Sequence, residues 1–313
     1  MEIPLMTTRT QRSRLFAAGV VAASVSLVLT GCSSSKSESS GAPNASATVN
    51  EVKADPKLAG LVPDDVKAAG KLLVGADASY APDEFKDDSG KVIGMDVDLA
   101  NAIAAKLGLK AEVQDSGFTA IIPGIQSNKF QLGMSSFTDN KEREQIVDMV
   151  TYFNSGSAVA VKKGNPEKID PKDLCGKKVA VQTGTTQADE IKDTRDPDCA
   201  KAGKPGVQNG GDKFDLQTDV TNAVVSGRDQ AMMADSQVVD YAIKQSGGQL
   251  EKVGETYGVA PYGVALAKGS KLTPAVQGAV QSLIDDGTYK QILAKWGVES
   301  GAITTSTVNG AVS

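Results

Sequence analysis

The stretch 96-DVDLANAIAAKLG-108, followed at once by 109-LKAEVQ-114, decides the fold class. Leu99, Ala100, Ile103, Ala104 and Leu107 recur at the spacing of one helical face, and Gly108 supplies a stop. The residues after it read as a strand. Upstream, 71-KLLVGAD-77 reads as a buried strand. Downstream, 119-TAIIPGIQ-126 predicts a short helix leading into strand 130-FQLGMSS-136. Alternating strands and helices predict an α/β layer fold with a mostly parallel sheet.

The pattern then restarts. Strands are expected at 157–163, 178–182, 229–235 and 257–269, with helices after 183-TGTTQ-187, near 219–227, at 237–245, and at 273–287 and 288–297. Two segments echo each other: 127-SNKFQLGMSS-136 and 226-SGRDQAMMAD-235 each follow a short apolar helix and end on a polar residue. In α/β sheets the loops at the carboxyl ends of strands form the binding crevice. The echo therefore puts Ser136 and Asp235 at equivalent rims of two lobes facing a cleft.

Composition narrows the chemistry. The chain has 313 residues, a formal charge of −5 and no histidine. Without a basic stripe, nucleic acid is not expected as a partner. Without histidine, the usual nucleophile–base pairings and the commonest metal ligand are missing. The three cysteines show no CxxC spacing, so no zinc site is expected. No catalytic residue, metal or cofactor is assigned.

Arg143 falls within the first turn of a short helix, where the unpaired N–H groups would repel it. Either it points into water within 141-KERE-144, or an anion sits nearby that both the arginine and the helix end bind. Ser135, Ser136 and Thr138 stand on the same rim. Thr185 and Thr186 follow Gly184 on the other rim, beside Asp235. An arginine suits a carboxylate and an acid suits an ammonium, so a site holding both suits a zwitterion such as a free amino acid. The plainer readings are a capping box from Thr186 to Asp189 and a helix cap at Asp235. Tyr80 and Phe118, by themselves, are more often core than ligand platform.

At the N-terminus, Arg9, Arg12 and Arg14 precede a short apolar run, the pattern of a secretory signal. That run ends in 29-LTGC-32, which resembles the lipobox of bacterial lipoproteins and implies lipidation of Cys32. A Ser- and Ala-rich segment follows and reads as a flexible tether. Cys175 and Cys199 would then lie outside the cytosol, where a bridge closing a loop of about 25 residues would contribute ~3 kcal/mol. The stretch 194–213 is read as a long loop stapled by Cys199.

Eight runs carry a wider resemblance: 75-GADASYAP-82, 94-GMDVDLANAIAAKLG-108, 117-GFTAIIPGIQSNKFQL-132, the Thr138 to Arg143 segment, 176-GKKVAVQTGTTQ-187, 224-VVSGRDQAMMADS-236, 262-YGVALAKG-269 and 285-DDGTYKQILAKWG-297. In this order they resemble the polar amino-acid-binding (family 3) solute-binding proteins of bacterial ABC importers, lipoprotein type. The resemblance implies a two-lobed periplasmic-binding-protein-like α/β fold joined by two crossing strands, near 154–161 and 257–264. The expected division is signal peptide 1–31, tether 32–58, lobe 1 from 59–156 plus 262–303, lobe 2 at 157–261 and a loose tail at 304–313.

It also implies residue roles. Arg143 takes the ligand carboxylate, with Thr138, Thr185 and Thr186 around it. Ser136 and Asp235 meet the ammonium, and Tyr80 and Phe118 sandwich the side chain. Asp77 meets its polar end. Asp83 departs from the family, which often has an aromatic there; with Asp77 it could favour a basic or amide side chain, or either acid could face water. Basic amino acids, glutamine, and acidic amino acids are the expected ligands in that order. The expected partners are this amino acid, an ABC permease and the outer face of the membrane, with the protein acting as a monomer. A solute sensor using the same cleft, or a dehydratase on the same fold with Asp77, Asp83, Glu84 or Asp235 as acid or base, are the alternatives.

Overall fold

The computed structural model describes residues 51–312. The proposed signal segment, Cys32 and most of the expected tether lie outside the described residues. The strands are β1 (Lys71–Ala76), β2 (Ser79–Tyr80), β3 (Glu84–Lys86), β4 (Val92–Ile93), β5 (Lys110–Asp115), β6 (Leu132–Gly133), β7 (Val147–Lys162), β8 (Val179–Gln182), β9 (Asp212–Phe214), β10 (Ala231–Asp235) and β11 (Leu250–Ala267). The main sheet runs β5-β1-β6-β11-β7-β10-β8-β9, and β2-β3-β4 form a small second sheet. Pairing is parallel within β5-β1-β6 and within β10-β8-β9, and antiparallel where β7 and β11 are involved. The sheet is therefore mixed, because two long strands run between its parallel halves.

Those two strands explain the two lobes. The N-terminal half of β7 and the C-terminal half of β11 pair with each other, and β11 also meets β6. The other halves pair near β10. Register shifts in β11 fall between Val253 and Tyr257, Tyr257 and Ala260, and Tyr262 and Gly263, where the halves join. Bulges of this kind interrupt the ladder and bend the strand.

The core sits in separate places. One cluster joins Leu72, Val74, Leu99, Ile103, Leu132, Val150, Val264, Leu283 and Trp296. In the other half, β10 alternates: Met232 and Ala234 face one cluster with Val220 and Val224, while Ala231 and Met233 face another with Val179, Val181 and Ile191. This is the period-two pattern of a strand covered on both faces. Each large apolar side chain fully buried in this way contributes about 1.5–3 kcal/mol.

One close approach positions the later site. The helix Met95–Lys106 starts after Gly94, whose φ is 139°. A Cβ at Gly94 would lie 2.1 Å from the Asp83 carbonyl oxygen. Glycine lets the N–H groups of Met95 and Asp96 donate to the carbonyls of Pro82 and Asp83. The chain thereby presses residues 83–84 onto the first turn carrying Asp96.

Three expectations change. The folded part of the chain begins before 59: Asp55 caps the helix Pro56–Leu61, its N–H donates to the Lys106 carbonyl, and Leu58 packs on the core. The tail is docked rather than loose: Val308 bridges Val150, Ser306 is 2% exposed, and the Asn309 and Gly310 N–H groups donate to the Met149 carbonyl and the Asp139 carboxylate. Its attachment is polar, through Thr307, Thr151 and Gln277, so no apolar period announces it. Finally, Cys199 lies in a helix, Asp196–Lys201, which continues a π-helical turn over Ile191–Arg195. It is bridged to Cys175 with Cα atoms 5.6 Å apart.

Candidate ligand cleft between the lobes

All the residues assigned to ligand binding from the sequence line one cavity: Asp77, Tyr80, Phe118, Ser136, Thr138, Arg143, Thr185, Thr186 and Asp235. Asp77 follows β1, Tyr80 lies on β2, Ser136 and Thr138 follow β6, Thr185 and Thr186 follow β8 and Asp235 ends β10, at or near the carboxyl ends of strands, while Phe118 starts a helix and Arg143 lies on the short helix Lys141–Glu144.

Arg143 does not point into water. Asn140 caps its four-residue helix, accepting from the Arg143 N–H at 2.8 Å. The guanidinium donates to the carbonyls of Thr138 (2.9 Å) and Gly184 (3.2 Å). It lies 5.7 Å and 5.4 Å from the ring centres of Phe118 and Phe137, which stack on each other at 4.6 Å. These contacts hold the planar fork and leave further N–H groups for a ligand. Burial lowers its pKa, while Asp189 and Asp235 favour the charged form.

Across the cleft, Asp235 occupies the N-cap position of the helix Ser236–Gln245, but its side chain does not cap it. Instead it accepts from Tyr262 (2.6 Å), Tyr80 (2.8 Å) and Gln187 (2.9 Å). Burial raises its pKa against these bonds and the charge of Arg143. Thr185, not Thr186, caps the following helix: its hydroxyl donates to the Gln182 carbonyl and accepts from the Ala188 N–H. Its hydroxyl is thus occupied, leaving the helix start and Thr186 to face the cavity.

The first lobe presents acids. Asp77 accepts from the Ser79 hydroxyl (2.6 Å), the Phe118 N–H (2.9 Å) and Gln182 (3.1 Å), and burial raises its pKa. Ser136 has a φ of 53°, and its N–H donates to Asp96 at 3.0 Å. Its hydroxyl is turned onto Asp83 and Glu84 at 3.1 Å and 3.2 Å. Asp83 is fully buried behind the wall and does not line the cavity, whereas Glu84 does. Sequence reasoning did not assign Glu84, Gln182 or Gln187 to the ligand. The two glutamines bracket the run from Thr183 to Thr186, so their position beside it was the available signal. Glu84 had none beyond its charge.

Bonds from Asp77 to Gln182, Tyr80 to Asp235, Ser79 to the Gln217 N–H, Arg143 to Gly184 and Asp83 to Gln237 join the two sides. The lobes are closed on one another. Among the described residues, three carboxyl groups and one guanidinium line the cavity: Asp77, Glu84 and Asp235 against Arg143.

A two-lobed α/β fold closed over a site with an arginine on one wall and an acid on the other defines a solute-binding protein for zwitterions. Residues 72–299 match the family model of bacterial extracellular solute-binding proteins, family 3, and the chain belongs to that family. It is 35% identical to the arginine-binding protein ArgT of Corynebacterium glutamicum over 81% of this chain and 83% of the relative. It is 31% identical to the L-cystine-binding protein TcyJ of Escherichia coli K12, covering 74% and 84%. A solved ancestral arginine-binding protein bound to arginine superposes with a TM-score of 0.66 and 38% identity, covering 72% and 98%. The protein is a substrate-binding component for polar amino acids of an ABC importer, and these relatives are binding proteins. Its family is extracellular, and among the described residues no helix is long and apolar enough to cross a membrane.

Proposed function

We propose that the protein captures a cationic amino acid, arginine before lysine, by lobe closure and hands it to an importer permease. The charge balance of the cleft carries this reading. One guanidinium meets three lining acids, with Asp83 and Asp96 buried behind them. Arginine supplies a carboxylate for Arg143, an ammonium for Asp235 and a side-chain cation for Asp77 and Glu84. Unpaired buried charge is costly, so a ligand that matches every charge is favoured over one that leaves an acid alone. Two relatives, the arginine-binding protein ArgT and the ancestral protein bound to arginine, support the same ligand.

In this reading Thr138, Thr185 and Thr186 surround the carboxylate, Ser136 stands near the ammonium, and Tyr80 and Phe118 flank the side chain. The register shifts of β11 act as the hinge, and a ligand touching both walls shifts the population toward the closed form. Lobe 1 takes 59–156 and 262–303, extended to Asp55 and the docked tail, and lobe 2 takes 157–261. No bond is made or broken. Cys32 carries the lipid anchor on the outer face of the membrane, and the protein works as a monomer. Titration calorimetry over the common amino acids and citrulline tests the ligand. Arginine should bind tightest, with citrulline at least tenfold weaker; tighter binding of glutamate than of arginine would overturn the reading. Mass spectrometry of the exported protein for acylated Cys32 tests the anchor.

A further inference from the structure

Behind the cleft wall sits a second arrangement that ligand contacts alone do not explain. Asp83 and Glu84 are fully buried and Asp96 is 1% exposed. The donors around them are few and neutral. The Ser136 hydroxyl reaches both Asp83 and Glu84 but has one proton to give. Ser135 donates to Glu84 (2.9 Å), Gln237 to Asp83 (2.6 Å), and the Ser136 N–H and Tyr152 hydroxyl to the same oxygen of Asp96 (3.0 Å and 2.8 Å). Asp83 Oδ1 and Asp96 Oδ1 have no donor. Glu84 lies within hydrogen-bonding reach of Asp96.

Among the described residues, the titratable groups that act most strongly on this cluster are acids and phenols. They are Asp77 after β1, Tyr80 on β2, Tyr152 on β7, Asp235 at the end of β10 and Tyr262 on β11. Arg143 is bonded to Thr138 and Gly184, and Lys86 pairs with Asp115. Three adjacent carboxylates without a cation do not all ionise at neutral pH; protons remain among them.

We propose that Asp83, Glu84 and Asp96 form a proton-holding cluster that releases a proton to solvent when a cationic ligand group seats against Glu84, with Asp83 as the positioning residue that sets this exchange. The inference rests on the cationic-ligand reading above. The step is an ionisation: a carboxyl O–H breaks, its electron pair stays on the oxygen, and the incoming cation supplies the charge the proton had supplied. Burial, then the neighbouring acids' charges, hold Asp83 and Glu84 well above the carboxylate range, and burial raises Asp96 to about 6. Because the free form holds the extra proton, affinity for the cation rises with pH across the titrating window, by about tenfold per unit for one linked proton.

Titration calorimetry with arginine between about pH 6 and 8, in phosphate and in Tris, counts the protons exchanged from the dependence of heat on buffer ionisation. The wild-type protein should release close to one proton with arginine and none with citrulline, which is neutral at the same place. Asp83→Asn keeps an acceptor for Gln237 and removes one acid. It should at least halve the proton count and flatten the pH slope, whereas a merely structural role would weaken binding at an unchanged count. Should that variant fail to fold, by near-UV circular dichroism, the wild-type difference between arginine and citrulline decides. Arginine binding with no proton exchange overturns this inference and leaves the cationic ligand standing. Binding of a neutral or acidic amino acid with no heat from arginine or lysine overturns both.

Discussion

The two ends of the cleft are built on different principles. Around Arg143, one cation is held by two carbonyls and two stacked rings, beside a helix start offering N–H groups. Around Glu84, acids crowd one another and share neutral donors. In the proposed reading, the first end takes the carboxylate that every amino acid carries. In the same reading, the second takes the ligand's side chain. A recognition site for a constant group can be rigid and fully paired. A site that selects a cation keeps acids whose charge is costly to bury until the ligand arrives.

The largest expected effect lies at the constant end. Arg143→Ala should weaken every amino-acid ligand by about 2–5 kcal/mol, since it leaves a buried ligand carboxylate unpaired. Calorimetry with arginine and glutamine should show similar losses for both; retained affinity would remove Arg143 from the site. Asp235→Asn comes next. It should cost about 1–3 kcal/mol for arginine but little for its des-amino analogue, whose missing ammonium makes no demand on Asp235. Equal losses would move the ammonium elsewhere.

Glu84→Gln sharpens the contrast between the ends. It should lower arginine affinity by roughly tenfold, about 1.4 kcal/mol, while leaving citrulline nearly unchanged. Parallel losses would show that Glu84 shapes the wall without reading charge.

The smallest effect concerns stability. A carboxyl whose pKa is raised on folding binds more protons in the folded state. Its contribution is present below the unfolded value of 3.8 and is lost as pH rises through the folded value, about 6 for Asp96. Asp96→Asn should therefore remove part of the fall in ligand-free stability across that window, read from urea midpoints at each pH. A variant whose slope matches the wild type would place the Asp96 proton outside the folding equilibrium.

Much of the fold was legible because apolar residues recur at helix and strand periods. The helix at 96–108 is found at Met95–Lys106, and the strand at 229–235 at Ala231–Asp235. The strand expected at 130–136 shrinks to Leu132–Gly133, because only these residues find ladder partners on β1 and β11. The cleft was legible because Ser136, Thr138, Thr185 and Thr186 stand shortly past strand ends and Asp235 closes one. Glu84 was not, because 82-PDEF-85 has no period and its neighbour Asp83 is as good a candidate on charge alone.

By itself the sequence determined the alternation of elements and the placing of a guanidinium and an acid on two rims. Local spacing and residue chemistry are enough for both. Only the tertiary structure decided that Asp83, Glu84, Asp96 and Ser136 meet in one buried place, that Asp235 turns away from its helix, and that the tail docks on β7. What a charge costs and what a hydroxyl bonds depend on neighbours distant in the chain, and no local pattern encodes them.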